Sequence, residues 1–176
     1  MSLLPEAAWY RDIVRAVEMR QAGIRDRLGR PWSQHFERVA ARLLFRNPAA
    51  TRAQVEAALL HDAYMARGGG DHMLDELAIG SEARLVIRRT TPPPEADYFR
   101  DFEAIHAPET AIYLDYVRRL AGSGDMPAIE MKLADIHDTI DACRSGRTPV
   151  LVDQYRTRYE PSRIILENAL TPGLDG

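Results

Sequence analysis

The sequence predicts an all-α fold. Apolar residues recur at helical spacing almost throughout its 176 residues. The breaks between periodic runs carry glycine or proline. One break ends in Thr51 followed three residues later by Gln54, the pattern of a capping box.

Trp9, Ile13 and Val17 recur every four residues and predict one face of a first helix. Gly29 and Pro31 interrupt the period. Phe36, Val39 and Leu43 define a second helix, ended by Asn47-Pro48. Behind Thr51, the residues Val55, Ala58, Leu59 and Asp62 form one stripe, which places Asp62 on the buried side of a third helix. Gly68-Gly69-Gly70 ends it, because three glycines cost a helix too much backbone entropy. A short helix is expected from Met73 to Ile79, with Gly80 as its terminator. The run ARLVIRR fits a strand or a buried helix, and helix agrees with its surroundings. TTPPPEAD reads as a loop. A long helical region follows from Tyr98 to Leu120, with an interruption near Pro108. Pro127 suits the first turn of a helix whose apolar stripe is Ile129, Leu133, Ile136 and Ile140. Lys132, Asp135 and Thr139 occupy the neighbouring stripe. A last stretch contains Tyr155, Tyr159, Ile164, Ile165 and Leu170, with Pro161 as a kink or boundary. The tail TPGLDG is expected to fray. No internal repeat or low-complexity segment divides the chain, so one domain over residues 1–176 is the expectation.

Composition narrows the function. The net charge of −3 argues against a general nucleic-acid binder, which needs basic excess to neutralise phosphates. A local arginine cluster still suffices for a small phosphorylated ligand. With one cysteine, Cys143, no intramolecular disulfide forms within a chain. The start MSLLPEAAWYRD has no basic segment before a long apolar core, and no apolar run approaches the ~18 residues of a membrane span. A cytoplasmic protein is expected.

The chemistry-bearing residues are His35, the pair His61-Asp62 and Asp135, on separate predicted helices. Imidazole plus carboxylate suits manganese, iron, cobalt, nickel or zinc better than magnesium, which prefers oxygen. Each residue also has an ordinary reading. His35 could be a core-edge histidine, Asp62 a local cap, and Asp135 the partner of Lys132 one turn earlier. Asp62 argues for the metal, because a carboxylate in an apolar stripe needs a partner. A divalent cation lowers the pKa of bound water and neutralises charge on a phosphoryl group, which points to hydrolysis.

The order of these residues resembles that in HD-domain metal-dependent phosphohydrolases. GRPWSQHFERVA is similar to the segment around the first histidine of RelA/SpoT-type alarmone hydrolases and their small stand-alone relatives. ALLHD resembles their His-Asp helix, and YLDYVRRLA with AIEMKLADIHDTIDACR resembles their last metal-binding stretch. The resemblance spans about Arg25 to Arg144. It implies an HD-type bundle of about six to eight helices. It implies His35, His61, Asp62 and Asp135 as ligands of one divalent metal, manganese above the others, with Asp62 and Asp135 orienting a metal-activated water. Arg25 and Arg27 fall in the basic segment expected to hold phosphates, for which guanidinium is suited. Lys132, Thr139 and Arg144 complete the expected substrate contacts, and Trp32 is expected to pack. The implied substrate is a nucleotide or related small phosphate compound, guanosine tetraphosphate being the narrower possibility.

The sequence departs from the family at two points. The family's HDxxED carboxylate pair is replaced by Met65 and Ala66, and its later asparagine by Thr139. The first departure motivates an alternative, a metal- or nucleotide-binding regulatory module without turnover. Asp71, His72, Asp75 and Glu76 are the nearby groups able to stand in for the missing pair. Cys143 is read as packing. His137 projects about 200° from Asp135 around a helix and is read as a core-edge or surface residue. Arg88-Arg89 and Arg118-Arg119 are read as solvated faces.

Overall fold

In a computed structural model, residues 7–26, 28–65, 69–96, 107–146 and 149–171 are described. Among them there is no strand, only an isolated antiparallel bridge between Arg25 and Pro31. The helices are α1 (Ala8–Arg20), α2 (Ser33–Arg46), α3 (Arg52–Leu60), α4 (Asp71–Glu76), α5 (Ser81–Thr90), α6 (Ala107–Gly122), α7 (Met126–Ser145), α8 (Pro149–Gln154) and α9 (Glu160–Leu170). A 3₁₀ turn spans Pro94–Ala96, and a π turn over Tyr155–Tyr159 joins α8 to α9 without a break. The chain divides into two units, Met1–Thr91 and Pro92–Gly176.

In the first unit α3 is central and packs on α1, α2 and α5. Every residue from Gln54 to Leu60 is buried, as expected of a helix covered on all sides. The Thr51 capping box forms with both reciprocal bonds, Thr51 accepting from the Gln54 N–H and Gln54 accepting from the Thr51 N–H. Buried Glu56 is neutralised by Arg52, one turn earlier, whose guanidinium also lies 4.9 Å over the Trp9 ring. That contact leaves Trp9 half-exposed, so the buried face of α1 is Tyr10, Ile13 and Val17. ARLVIRR is helical within α5, and Arg88 and Arg89 are exposed. Gly80 caps the start of α5 rather than ending α4. Gly70 caps α4 with φ +90°, a conformation open to glycine and strained for other residues.

In the second unit α7 is central, contacting α6, α8, the π turn and α9. Asp125 caps α7, accepting from the Ala128 N–H, and Pro127 sits in its first turn. Ile129, Leu133, Ile136 and Ile140 are buried, and so are Lys132, Asp135 and Thr139. Cys143 is buried packing. Pro161 marks a boundary, as its position suggested: it has no N–H to close a helical bond and its ring crowds the preceding turn. The chain accommodates it by widening into the π turn just before it. The buried face beyond is Ser162 and Leu166, with Ile164 exposed. Arg118 and Arg119 are exposed. Gly68, the start of the expected helix at Tyr98 and the last five residues of the tail lie outside the described residues.

Candidate functional site

The first unit brings three of the expected metal ligands together. α2 carries His35 on its buried face, beside Phe36. α3 ends at Leu60, one residue before the His-Asp pair. The chain then tightens into short turns, with the Ala63 N–H donating to Leu60 C=O (2.8 Å) and the Met65 N–H to Asp62 C=O (2.9 Å). Asp62 is therefore buried in a turn and not in the helix stripe expected of it.

The imidazole of His61 is oriented by its own helix. Nδ1 lies 2.9 Å from the Ala58 carbonyl, which only accepts, so Nδ1 carries the proton and Nε2 presents a lone pair. That Nε2 lies 3.2 Å from Nε2 of His35 and 3.7 Å from Oδ2 of Asp62. Two imidazole nitrogens at that separation share either a proton or a cation. Donors about 2.1 Å from one ion stand roughly 3.0–3.4 Å apart, close to what is seen. Asp62 Oδ2 is buried and accepts no hydrogen bond among the described residues. The donor set thus fits a divalent metal: two imidazoles and a carboxylate, one imidazole with its tautomer fixed. Trp32 is half-buried and packs on His35, ring centroids 5.4 Å apart.

In the second unit Asp135 is 2% exposed and accepts from Lys132 Nζ at Oδ2 (2.8 Å). Lys132, expected at the substrate, is itself 2% exposed and lies 5.8 Å over the rings of both Tyr113 and Tyr116. Burial raises the Tyr113 hydroxyl far above its usual range; the Lys132 charge opposes this and Asp135 reinforces it. Thr139 is buried one turn beyond Asp135. Arg144 is exposed, donates to the Tyr155 hydroxyl (2.9 Å) and stacks on that ring. His137 is half-exposed, 3.4 Å from Glu167.

The turn before α2 is built on Asp26, which sequence reasoning passed over. Its carboxylate accepts from the N–H groups of Leu28 and Arg30 (2.9 Å each) and from the guanidinium groups of Arg30 (2.8 Å) and Arg38 (3.3 Å). Burial would raise this carboxyl, but the backbone donors and Arg30 outweigh it and hold it below the usual range. An Asp three residues before Gly29 is the turn signal that could have found it. Gly29 adopts φ +75° there, and the exposed Arg25 donates to its carbonyl (3.1 Å). Arg27 and Ala66 lie outside the described residues. Met65 is half-buried. The groups able to replace the missing carboxylate pair all lie on the surface. Asp71 binds the Tyr64 hydroxyl (2.7 Å) and Arg88 (2.9 Å), Asp75 pairs with Arg84 (2.7 Å), His72 lies 3.5 Å from Glu76, and Glu76 pairs with Arg20.

Among the described residues no helix is long and apolar enough to cross a membrane. No family model matches the sequence, and no curated protein matches it. A solved structure does match: a metazoan ortholog of SpoT that hydrolyzes ppGpp and plays a role in starvation responses. The TM-score is 0.63 at 16% identity, covering 93% of this chain and 94% of that one. The likeness is one of fold: this all-α chain shares the fold of that protein over nearly its whole length.

Proposed function

We propose that the protein is a metal-dependent phosphohydrolase acting on a nucleotide or related small phosphate compound in the cytoplasm, as one HD-type domain over residues 1–176. His35, His61, Asp62 and Asp135 hold one divalent cation, manganese in preference to iron, cobalt, nickel or zinc. The observation that carries the reading is the buried group in the first unit: two imidazole Nε2 atoms at 3.2 Å beside a buried Asp62 oxygen that accepts no hydrogen bond among the described residues. A bound cation supplies charge neutralisation at phosphorus and makes water acidic enough to attack at neutral pH.

The chain's own residues do the rest. The Ala58 carbonyl keeps the His61 lone pair on Nε2. Lys132 holds the Asp135 carboxylate in one rotamer through Oδ2. Arg25 and Arg27 bind phosphate oxygens, and Thr139 and Arg144 contact the remainder of the substrate. Asp62 and Asp135 orient the attacking water. The HD fold shared with a ppGpp hydrolase favours guanosine tetraphosphate as a substrate to test first. Met65 and Ala66 favour a second reading, a module that binds metal and nucleotide without turnover.

Elemental analysis of the purified protein should find bound transition metal, and Asp135→Ala should lose it. Release of phosphate or pyrophosphate from a nucleotide panel with added manganese supports the enzyme. Saturable nucleotide binding with no product under any metal supports the module. Full metal retention in Asp135→Ala overturns the ligand assignment.

A further inference from the structure

Arg158 lies in the π turn of the second unit and is only 4% exposed. Its backbone is satisfied, the carbonyl accepting from the Ser162 hydroxyl (2.7 Å). Its side chain is not. The guanidinium carbon stands 5.2 Å over the ring of Tyr113, which is itself fully buried. Nε is shut off from solvent and donates to nothing among the described residues, and the guanidinium is in no ion pair among them. The terminal nitrogens hold what little exposure the residue has. Gln154, four residues earlier, is buried with Oε1 accepting no hydrogen bond among the described residues, so the amide of the same segment does not answer the charge.

A second cation shares that ring. Lys132 Nζ lies 5.8 Å over Tyr113, and Asp135 at 2.8 Å takes its charge. The other buried carboxylate of α7, Asp138, has contacts of its own. One buried cation of the two is therefore paired and the other is not. Arginine is almost never buried without a partner. Losing water costs a guanidinium more than the face of a ring returns. An unanswered guanidinium whose outer nitrogens reach solvent is a place for an anion. Its N–H groups form a planar fork that matches the oxygens of phosphate or carboxylate in pairs. With Lys132 held over the same ring, a doubly charged phosphate gains more there than a singly charged carboxylate.

We propose that Arg158 binds a phosphate group through its terminal nitrogens, and that this phosphate belongs to the substrate. The second half rests on the hydrolase reading above. Sequence reasoning did not reach Arg158, which lies beyond the stretch from Arg25 to Arg144 that carries the resemblance. Its role is binding: the guanidinium keeps its charge throughout.

The test uses the full chain, Arg158→Met, which keeps an apolar stem and removes the charge, and Arg158→Lys, which keeps the charge and loses the fork. With metal chelated and ionic strength matched, inorganic pyrophosphate should raise the melting temperature of the wild type, and Arg158→Met should need at least about tenfold more for the same rise. Arg158→Lys should fall between them, and sodium acetate should raise the wild type less than pyrophosphate does. Equal pyrophosphate responses in the three proteins overturn the site, as does no response in the wild type. An acetate response equal to that of pyrophosphate overturns the assignment to phosphate. Should Arg158→Met fail to fold, an undiminished response in Arg158→Lys overturns the site by itself. On a compound that the wild type hydrolyses with manganese, the substitutions should raise KM at least about tenfold with kcat changed less than about threefold. An unchanged KM overturns the substrate role. A wild type that binds manganese and turns over no compound in the panel overturns the hydrolase reading and that role with it. The pyrophosphate response alone then decides whether the anion site exists.

Discussion

Asp26 gathers four donors on one carboxylate, from Leu28, Arg30 and Arg38. Removing it leaves the two backbone N–H groups in need of new partners, so Asp26→Ala should lower stability by about 1–3 kcal/mol in denaturant titrations at neutral pH. The sign with pH follows from its lowered pKa. A carboxyl depressed on folding contributes fully above its unfolded value, near 3.9, and loses that contribution as pH falls through the folded value. The gap between wild type and Asp26→Ala should therefore be constant from pH 7 to about 5 and close in stronger acid. Asp135 differs in kind. Its pair with Lys132 is almost wholly buried, and Asp135→Ala takes the carboxylate from a buried ammonium. That change should cost about 3–5 kcal/mol, besides the loss of metal. Lys132→Met, read in the same titration, should cost a similar amount, because it takes the ammonium from a buried carboxylate.

Helices were the most legible part of this sequence. Apolar period located α2, α3 and α7, the last two helped by the Thr51–Gln54 box and by Pro127, whereas α5 was read as helix only from its surroundings. The Thr51 box can be tested directly: Thr51→Ala should cost about 0.5–2 kcal/mol in thermal or chemical melts, with the helix content of the native state unchanged. The ends of helices were less legible. Asp62 fits the stripe of α3 on paper, yet short turn bonds take over at Leu60 with no glycine or proline to announce them. Trp9 fits the α1 stripe too, but Arg52 offers its ring a cation at the surface. The Trp9 miss comes from a partner distant in sequence, the Asp62 miss from local turn bonds. Asp26 went unnoticed although its spacing to Gly29 is a turn signal, because the four donors it gathers show only in the folded chain.

For the whole molecule, the shared fold was legible from four residues and their order, while sequence matching at 16% identity carries little beyond it. Two features of the interior govern its response to conditions. Tyr113 is buried, and its hydroxyl pKa is raised by that burial. Such a group supports folding below its unfolded value near 10 and withdraws that support as pH rises, because the unfolded chain then sheds the proton first. Melting temperature should fall steadily above about pH 10, and Tyr113→Phe should blunt the fall. Manganese acts in the other direction. A cation that binds only the native state raises the melting temperature with its concentration, so chelation should lower it in the wild type and leave Asp135→Ala unmoved. An equal response in both proteins would count against the four-residue ligand set.

The π turn at Tyr155–Tyr159 has its own consequence for how this chain tolerates length changes. A widened turn absorbs one surplus residue while the helix on either side stays in step. Deleting one residue there, with Pro161 replaced by alanine so that an ordinary bond can close, would regularise the helix and leave Leu166 facing inward. The same deletion in the middle of α7 would swing everything after it by about 100° and turn its buried face outward.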